Sequence, residues 1–419
     1  MEMDAARTQK AMGSKALALG FLFAVFVAVS LLANPAQAAP TTFTVDSTAD
    51  TNLTACDYAT ANDCTLRGAI NAANGNGNSA EVDTIEFEIP ATDTNCVAGV
   101  CTITPATNLP TISQAVTING YSQTGASANT LATGNDAALK IELNGTNRSY
   151  GLSIVATGGG STVRGLVINR VSGDGILVNS SDNVIAGNFI GTDATGNTRS
   201  ANGTGINIAT GADNLIGGTT PAARNVISGN GSLGNVRLGS NTTPTGTVIR
   251  GNHIGPNASG TAALLNQAPV PAIGVSISGA NDTVIGGSDA DDGATDGSVG
   301  ARNVISSNSR GIQINPGGLA GVDVDGLTIA GNFIGVDATG LTALGNLDTG
   351  VSTVTASEVD NLTIGGTAAG AGNVISGNFL GIQGGSLNTT VQGNFVGTDL
   401  SGTSDLGNTT TGVHVALGG

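Results

Sequence analysis

Four aspartates fall within eight residues, Asp289, Asp291, Asp292 and Asp296, and two arginines follow them, Arg302 and Arg310. Carboxylates this close together supply the hard oxygen ligands that Ca²⁺ takes. They miss the D-x-D-x-D-G register of a helix-flanked calcium loop, because Asp292 falls one place early and no distal Glu closes the set. A solvated acidic loop is therefore the simpler reading. The same residues could carry acid–base chemistry. Asp291-Asp292 has the composition of the carboxylate pair that hydrolyses glycosidic bonds, although neither a Gly-His nor an Arg-x-Lys motif follows it. A Ca²⁺-assisted lyase would need a base beside its acidic ligands, and Arg302 or Arg310 could be that base. His253 lies upstream, and the other histidine, His414, is far away. The sequence contains no Ser-His-Asp order, phosphate loop or zinc motif.

These residues stand out because they break a repeat. One phrase occurs at Gly187–Gly196, Gly251–Gly260, Gly331–Gly340 and Gly393–Gly402, of the form GNFIGTDATG. A second, NVISGN or NVISSN, occurs at Asn225–Asn230, Asn303–Asn308 and Asn373–Asn378, each preceded by an Ile-Gly-Gly turn at Ile216, Ile285 or Ile364. In the module 251–310 four things change together. His253 replaces Phe, Asn257 replaces Asp, the segment from Gly260 to Gly274 is lengthened and holds Pro269 and Pro271, and the Gly-Gly to NVIS interval grows into Ser288–Arg302. Insertions in a repeat array map to side loops, so this module is the expected binding surface. Residues that recur are read as structural first. Asp193, Asp337 and Asp399 are turn formers. Phe189, Phe333 and Phe395 are packing residues, and Arg224 and Arg302, each just before NVIS, make turn or surface contacts.

The repeat also dictates the fold. Short alternating strands start at Gly151, Gly175, Gly205, Asn235, Gly274, Gly311, Gly350, Gly381 and Gly412, each 24 to 39 residues after the last. Alternation over so few residues describes strands with one buried face. No helical period lies between them, so βαβ units are excluded, and hairpins would not bring like residues back at a coil-length interval. The expectation is an all-β, right-handed parallel β-helix over residues 109–419, with equivalent strands stacked about 4.8 Å apart. Asn188, Asn252, Asn332 and Asn394 should form a ladder at the turns. Residues 39–108 form a cap. Leu66, Ala69, Ile70 and Ala73 share one helix face that could plug the open end. The sequence stops just after a strand start, at Ala416–Gly419, which is expected of a truncated chain.

The N-terminus reads as a Sec-type secretory signal peptide over residues 1–38. Lys10 and Lys15 precede an apolar run from Ala16 to Ala33, and Ala36-Gln37-Ala38 is a small-x-small cleavage site. Beyond it no stretch is apolar enough to span a bilayer. The chain carries a net charge of −16, and after cleavage Lys140 is its one lysine. That surface repels nucleic acid and anionic membranes, whose phosphates need a cationic patch. Four cysteines, Cys56, Cys64, Cys96 and Cys101, read as disulfides in an exported chain. Cys56–Cys64 and Cys96–Cys101 are the local pairings among the three possible connectivities.

Cys64–Ile70 with Ala73-Asn74 (CTLRGAI…AN) resembles the N-terminal motif of bacterial exported proteins named for the string Cys-Ser-Leu-Arg-Glu-Ala, the CSLREA domain. Thr65 stands for its Ser and Gly68 for its Glu. Leu109–Gln123 and the two repeat phrases look like the β-helix repeats that follow in the same proteins, so the resemblance covers residues 41–419. It implies a pectate-lyase-like solenoid that is secreted or surface-exposed, and leaves activity open, since most such proteins have none established. Two functions are expected: a non-catalytic surface scaffold or adhesin binding extracellular polysaccharide or another surface, and a polysaccharide lyase or hydrolase acting in a lateral groove.

Overall fold

Isoleucine columns organise the chain. Ile185, Ile216, Ile249, Ile285, Ile329 and Ile364 lie in register on six successive strands, each at most 1% exposed. Ile190, Ile227, Ile254, Ile305, Ile334 and Ile375 form a second such column. Burying each of these side chains is worth about 1.5–3 kcal/mol, and they join one continuous core with the residues of a third sheet. The computed structural model describes residues 39–57, 60–76, 81–231, 233–239, 242–264, 272–316, 322–354, 358–385 and 388–414. The proposed signal peptide, Pro269, Pro271 and the terminal Ala416–Gly419 lie outside them.

The architecture is a right-handed parallel β-helix in which a full coil lays one strand in each of three sheets, and three coils add a strand to a short fourth sheet of Ala280–Asn281, Val324–Asp325 and Val359–Asp360. Sheet A has eleven strands, from Thr42–Val45 to Thr390–Gln392. Sheet B has eleven, from Cys96–Val97 to Phe395–Val396. Sheet C has nine, from Tyr150–Ile154 to Thr411–His414, and these are the nine strands marked by the Gly151-to-Gly412 starts. Successive coils pair in parallel. An antiparallel exception lies at the N-terminal end, where Cys96–Val97 folds back on Val100–Ile103.

The two repeat phrases are not separate features. Both supply sheet B, on alternate coils: Phe189-Ile190 pairs with Val226-Ile227, which pairs with His253-Ile254, and so on to Phe395-Val396. The long repeat is therefore two coils. The asparagine ladder is correspondingly denser than the four expected rungs. It runs Asn188, Asn225, Asn252, Asn303, Asn332, Asn373 and Asn394, each side-chain amide donating to the next Oδ1 at 2.8–3.2 Å. Most of these amides also donate to a carbonyl one coil back, as Asn303 Nδ2 does to Ile249 O at 2.8 Å. At the corner between sheets A and B the strand ladder is interrupted, and the side chains replace the missing backbone bonds. A parallel ladder, Asn202, Asn230, Asn235, Asn308, Asn346, Asn378 and Asn408, secures the corner between sheets B and C.

The Ile-Gly-Gly turn has an equally direct cause. Gly286 sits at φ 89°, and a Cβ there would lie 2.0 Å from the Ala330 carbonyl of the next coil. Only glycine accepts both that conformation and that approach.

The N-terminal end carries the one α-helix of the described residues, Leu66–Gly75. Thr65 caps it, accepting the Gly68 N–H at 3.0 Å. Leu66, Ala69, Ile70 and Ala73 point into the coil core, as their spacing required. Arg67 ties the helix down through the Asp50 carboxylate and the Thr107 and Asn108 carbonyls. Gly68 lies against the Leu53 carbonyl, where a Cβ would collide, so glycine at this place is a local requirement. The disulfides are the local pairs, Cys56–Cys64 and Cys96–Cys101. Among the described residues no helix is long and apolar enough to cross a membrane.

Candidate functional site

At four of its corners from sheet A to sheet B the chain makes a long excursion. These corner loops are residues 120–140, 218–225, 287–303 and 366–373, and they lie side by side. Arg224, on the second loop, donates to the Leu131, Ala132 and Gly134 carbonyls of the first. Asn129 and Asn135 of the first loop donate back to Pro221 O and Arg224 O. The third loop reaches the fourth through Asp289 N and the Ala369 carbonyl, 3.0 Å apart. Between the first three loops, above the outer face of sheet B, opens a cavity of about 400 Å³. Arg224, His253, Asp292, Asp296, Arg302 and Phe333 are among the residues that line it.

The floor of this cavity is a break in an apolar column. Outward-facing residues of sheet B stack as Val226, His253, Val304 and Phe333. Val226 belongs to one apolar cluster with Leu139, Val167 and Phe189, and Val304 and Phe333 belong to another with Val336 and Val374. His253 falls between the two. It is 2% exposed, and burial with the nearby Arg224 charge pushes its pKa down to about 3, so the ring is neutral. Its Nδ1 donates to Ala258 O at 3.1 Å. The imidazole occupies the place that phenylalanine takes in the other copies, beneath the Gly260 turn.

Arg302 is the polar centre of the cavity. Its Nε donates to Gly331 O at 2.8 Å, and its guanidinium carbon lies 4.2 Å from the centroid of the Phe333 ring. Burial lowers its pKa to about 10, which leaves it charged at neutral pH. Arg224 is also lowered by burial.

The four aspartates, Asp289, Asp291, Asp292 and Asp296, are each engaged within their own loop. Asp289 accepts Gly297 N at 3.1 Å, and Asp296 accepts Ser298 N at 2.9 Å. Asp292 accepts Ala294 N and Gly300 N, at 3.1 and 2.7 Å. Asp291 is bound to the Ser288 hydroxyl and N–H, which holds its pKa below the usual carboxylate range. Each carboxylate closes its own part of the loop, and among the described residues no three His, Cys, Asp or Glu side chains gather as metal ligands.

The other sequence candidates divide by the corner they occupy. Asp292, Arg302 and His253 share the cavity. Asp291 faces an adjoining cavity with Arg250 and Thr219. Arg310 does not join them. It has passed the next corner and pairs with Asp348 at 2.8 Å, both half-exposed. Sequence reading missed Ala132 and Thr133, which come from a loop about ninety residues upstream of Arg224. The signal available was the long interval between the strands Val116–Asn119 and Ile141–Asn144. The recurring aspartates behave as turn formers: Asp193 Oδ1 accepts Asn197 N and Thr198 N, and Asp399 Oδ1 accepts Thr403 N and Ser404 N.

No family model matches the chain, and no curated protein matches it. Among solved structures it is similar to an alginate lyase from Paenibacillus sp. str. FPU-7, at 13% identity and a TM-score of 0.37, covering 84% of this chain and 98% of that one. Pectate lyase Pel9A is similar at 12% identity and a TM-score of 0.38, covering 88% and 82%. PfbA, a surface adhesin of Streptococcus pneumoniae, is similar at 14% identity and a TM-score of 0.33, covering 78% and 86%. Likeness at this level leaves function to be argued from the chain's own residues. Those residues define a parallel β-helix protein with a side cavity built by its corner loops.

Proposed function

We infer that this is an exported β-helix protein of the CSLREA type, secreted or held at the cell surface, acting as a non-catalytic scaffold or adhesin that takes extracellular glycan into the corner-loop cavity. The observation that carries this reading is the state of the titratable groups there. Asp292 and Asp296 are engaged by loop N–H groups, His253 is neutral and buried, and Arg302 is fixed over Phe333. Such groups serve shape and recognition better than proton transfer. Export is supported by the two disulfides, which persist in oxidising compartments. Two assays test the reading: the N-terminal sequence of the mature chain, expected to begin next to Ala38, and glycan-array binding by the intact protein. Binding to none of the glycans, or retention of residues 1–38, contradicts it.

A lyase reading draws on one observation, that Asp292 and Arg302 line the same cavity. In that case Arg302 would act as base only in its deprotonated form, which a pKa of about 10 makes a minor species at neutral pH. Incubation with a panel of acidic polysaccharides, followed by ultraviolet absorbance of unsaturated product, separates the readings. The scaffold reading predicts no product.

A further inference from the structure

We propose that the cavity selects acidic glycans, through an anion subsite at the Arg302 guanidinium that takes the carboxylate or sulfate of a sugar. The assignment rests on the glycan-binding reading above and deepens it.

The first observation is that Arg302 is half satisfied. Nε has its acceptor in Gly331 O. The two terminal nitrogens have no hydrogen-bond acceptor among the described residues, and the ion pairs found there are Arg67–Asp50, Arg170–Glu142 and Arg310–Asp348, none of which involves Arg302. These nitrogens are not among the buried atoms left without a partner, so they face the water of the cavity, where an incoming anion can reach them. The planar guanidinium fork presents two parallel N–H groups, the geometry of a bidentate carboxylate or sulfate contact. The Phe333 face holds the plane of that fork in place.

The second observation is the company it keeps. Arg224 lines the same cavity, and its guanidinium is met by neutral carbonyls rather than by a carboxylate. Asp292 and Asp296, the acidic lining residues, are drawn back into the loop by Gly300, Ala294 and Ser298 N–H groups. In a chain of net charge −16 this corner gathers two cations without ion-pair partners.

The third observation limits the site. Thr219 also lines the adjoining cavity of about 350 Å³, which holds Arg250. Arg250 Nε is buried with no partner among the described residues. The Asp291 carboxylate faces the same cavity and feels the Arg250 charge, so that arginine is already met by an anion and the subsite is placed at Arg302.

Calorimetric titration of the full chain tests this with three ligands: a polyuronate oligosaccharide, its carboxyl-reduced neutral form, and a sulfated oligosaccharide of like length. The expected result is that the polyuronate or the sulfated ligand binds at least about tenfold tighter than the neutral form, with the preferred arm identifying the anion. Arg302→Gln should bring the charged ligands down to the affinity of the neutral form, and Arg302→Lys should keep part of the preference. Equal affinity for charged and neutral forms overturns the anion subsite while leaving the glycan-binding reading intact. Absence of binding to all three overturns both. Because the ligand comparison is made on the unmodified protein, the result does not depend on the variants folding.

Discussion

Arg302 lies with its guanidinium carbon 4.2 Å from the centroid of Phe333, a residue of the next coil. This contact makes a repeat residue do double service. Phe333 fills the outer apolar column of sheet B, as Phe189 does, and its face fixes a cation at the cavity floor. Replacing it with leucine keeps most of the burial and removes the π face. Phe333→Leu should cost about 1–2 kcal/mol of stability and weaken acidic-glycan binding several-fold, in line with about 0.5–2 kcal/mol for such a contact. Thermal denaturation and calorimetry on the same variant separate the two effects.

His253 predicts an acid sensitivity. Its folded pKa, about 3, lies below the unfolded value of about 6.5. Above the unfolded value neither state binds the proton and the residue adds no pH dependence. As pH falls below it, the unfolded chain takes the proton first, so stability drops until pH reaches the folded pKa. At a pH of about 5 the loss is about 2 kcal/mol. His253→Phe restores the repeat residue and should remove that part of the acid slope. Melting curves of the two proteins across this range check it, and equal slopes would contradict the assignment.

The asparagine ladder should fail unevenly. Asn303 is fully buried, donates to Asn332 and Ile249, and accepts from Asn252. Asn303→Ala orphans several of these groups, at about 1–3 kcal/mol for each buried one. Asn394 is the last rung and partly exposed, so Asn394→Ala should cost clearly less. Denaturant midpoints of the two variants give the comparison.

The Cys56–Cys64 bridge lies beside the capping helix. The double variant Cys56→Ser, Cys64→Ser should lose about 2–4 kcal/mol. In a coil whose contacts are between neighbours, the damage should stay local. Hydrogen exchange is expected to rise in Leu66–Gly75 and the strands against it, with sheet C beyond Gly205 unchanged.

The coil was legible in the sequence because its period is written in inward isoleucines and obligatory turn glycines, and all nine strand starts from Gly151 to Gly412 fall in sheet C. The equivalence of the two phrases was harder to see. GNFIG and NVIS share only an Asn-x-Ile core, too little to mark Asn225, Asn303 and Asn373 as rungs beside Asn188 and Asn252. At the site, His253, Asp292 and Arg302 were readable because they depart from the repeat or sit in an insertion. Arg310 misled because nearness in sequence does not survive a corner: within a few residues the chain passes to another sheet, where Asp348 waits. Arg224 has the sequence context of a turn contact, and its bonds to Leu131 and Ala132 join loops about ninety residues apart, a relation that no local pattern encodes.

The most direct test of the corner-loop cavity as the binding surface is amide hydrogen exchange of the whole chain with and without an acidic oligosaccharide. Protection is expected at Ala132–Thr133, Thr219–Thr220 and Ser298–Arg302, three segments far apart in sequence that meet around Arg302. Protection confined to another face of the coil, with these three segments unchanged while ligand is bound, would contradict it.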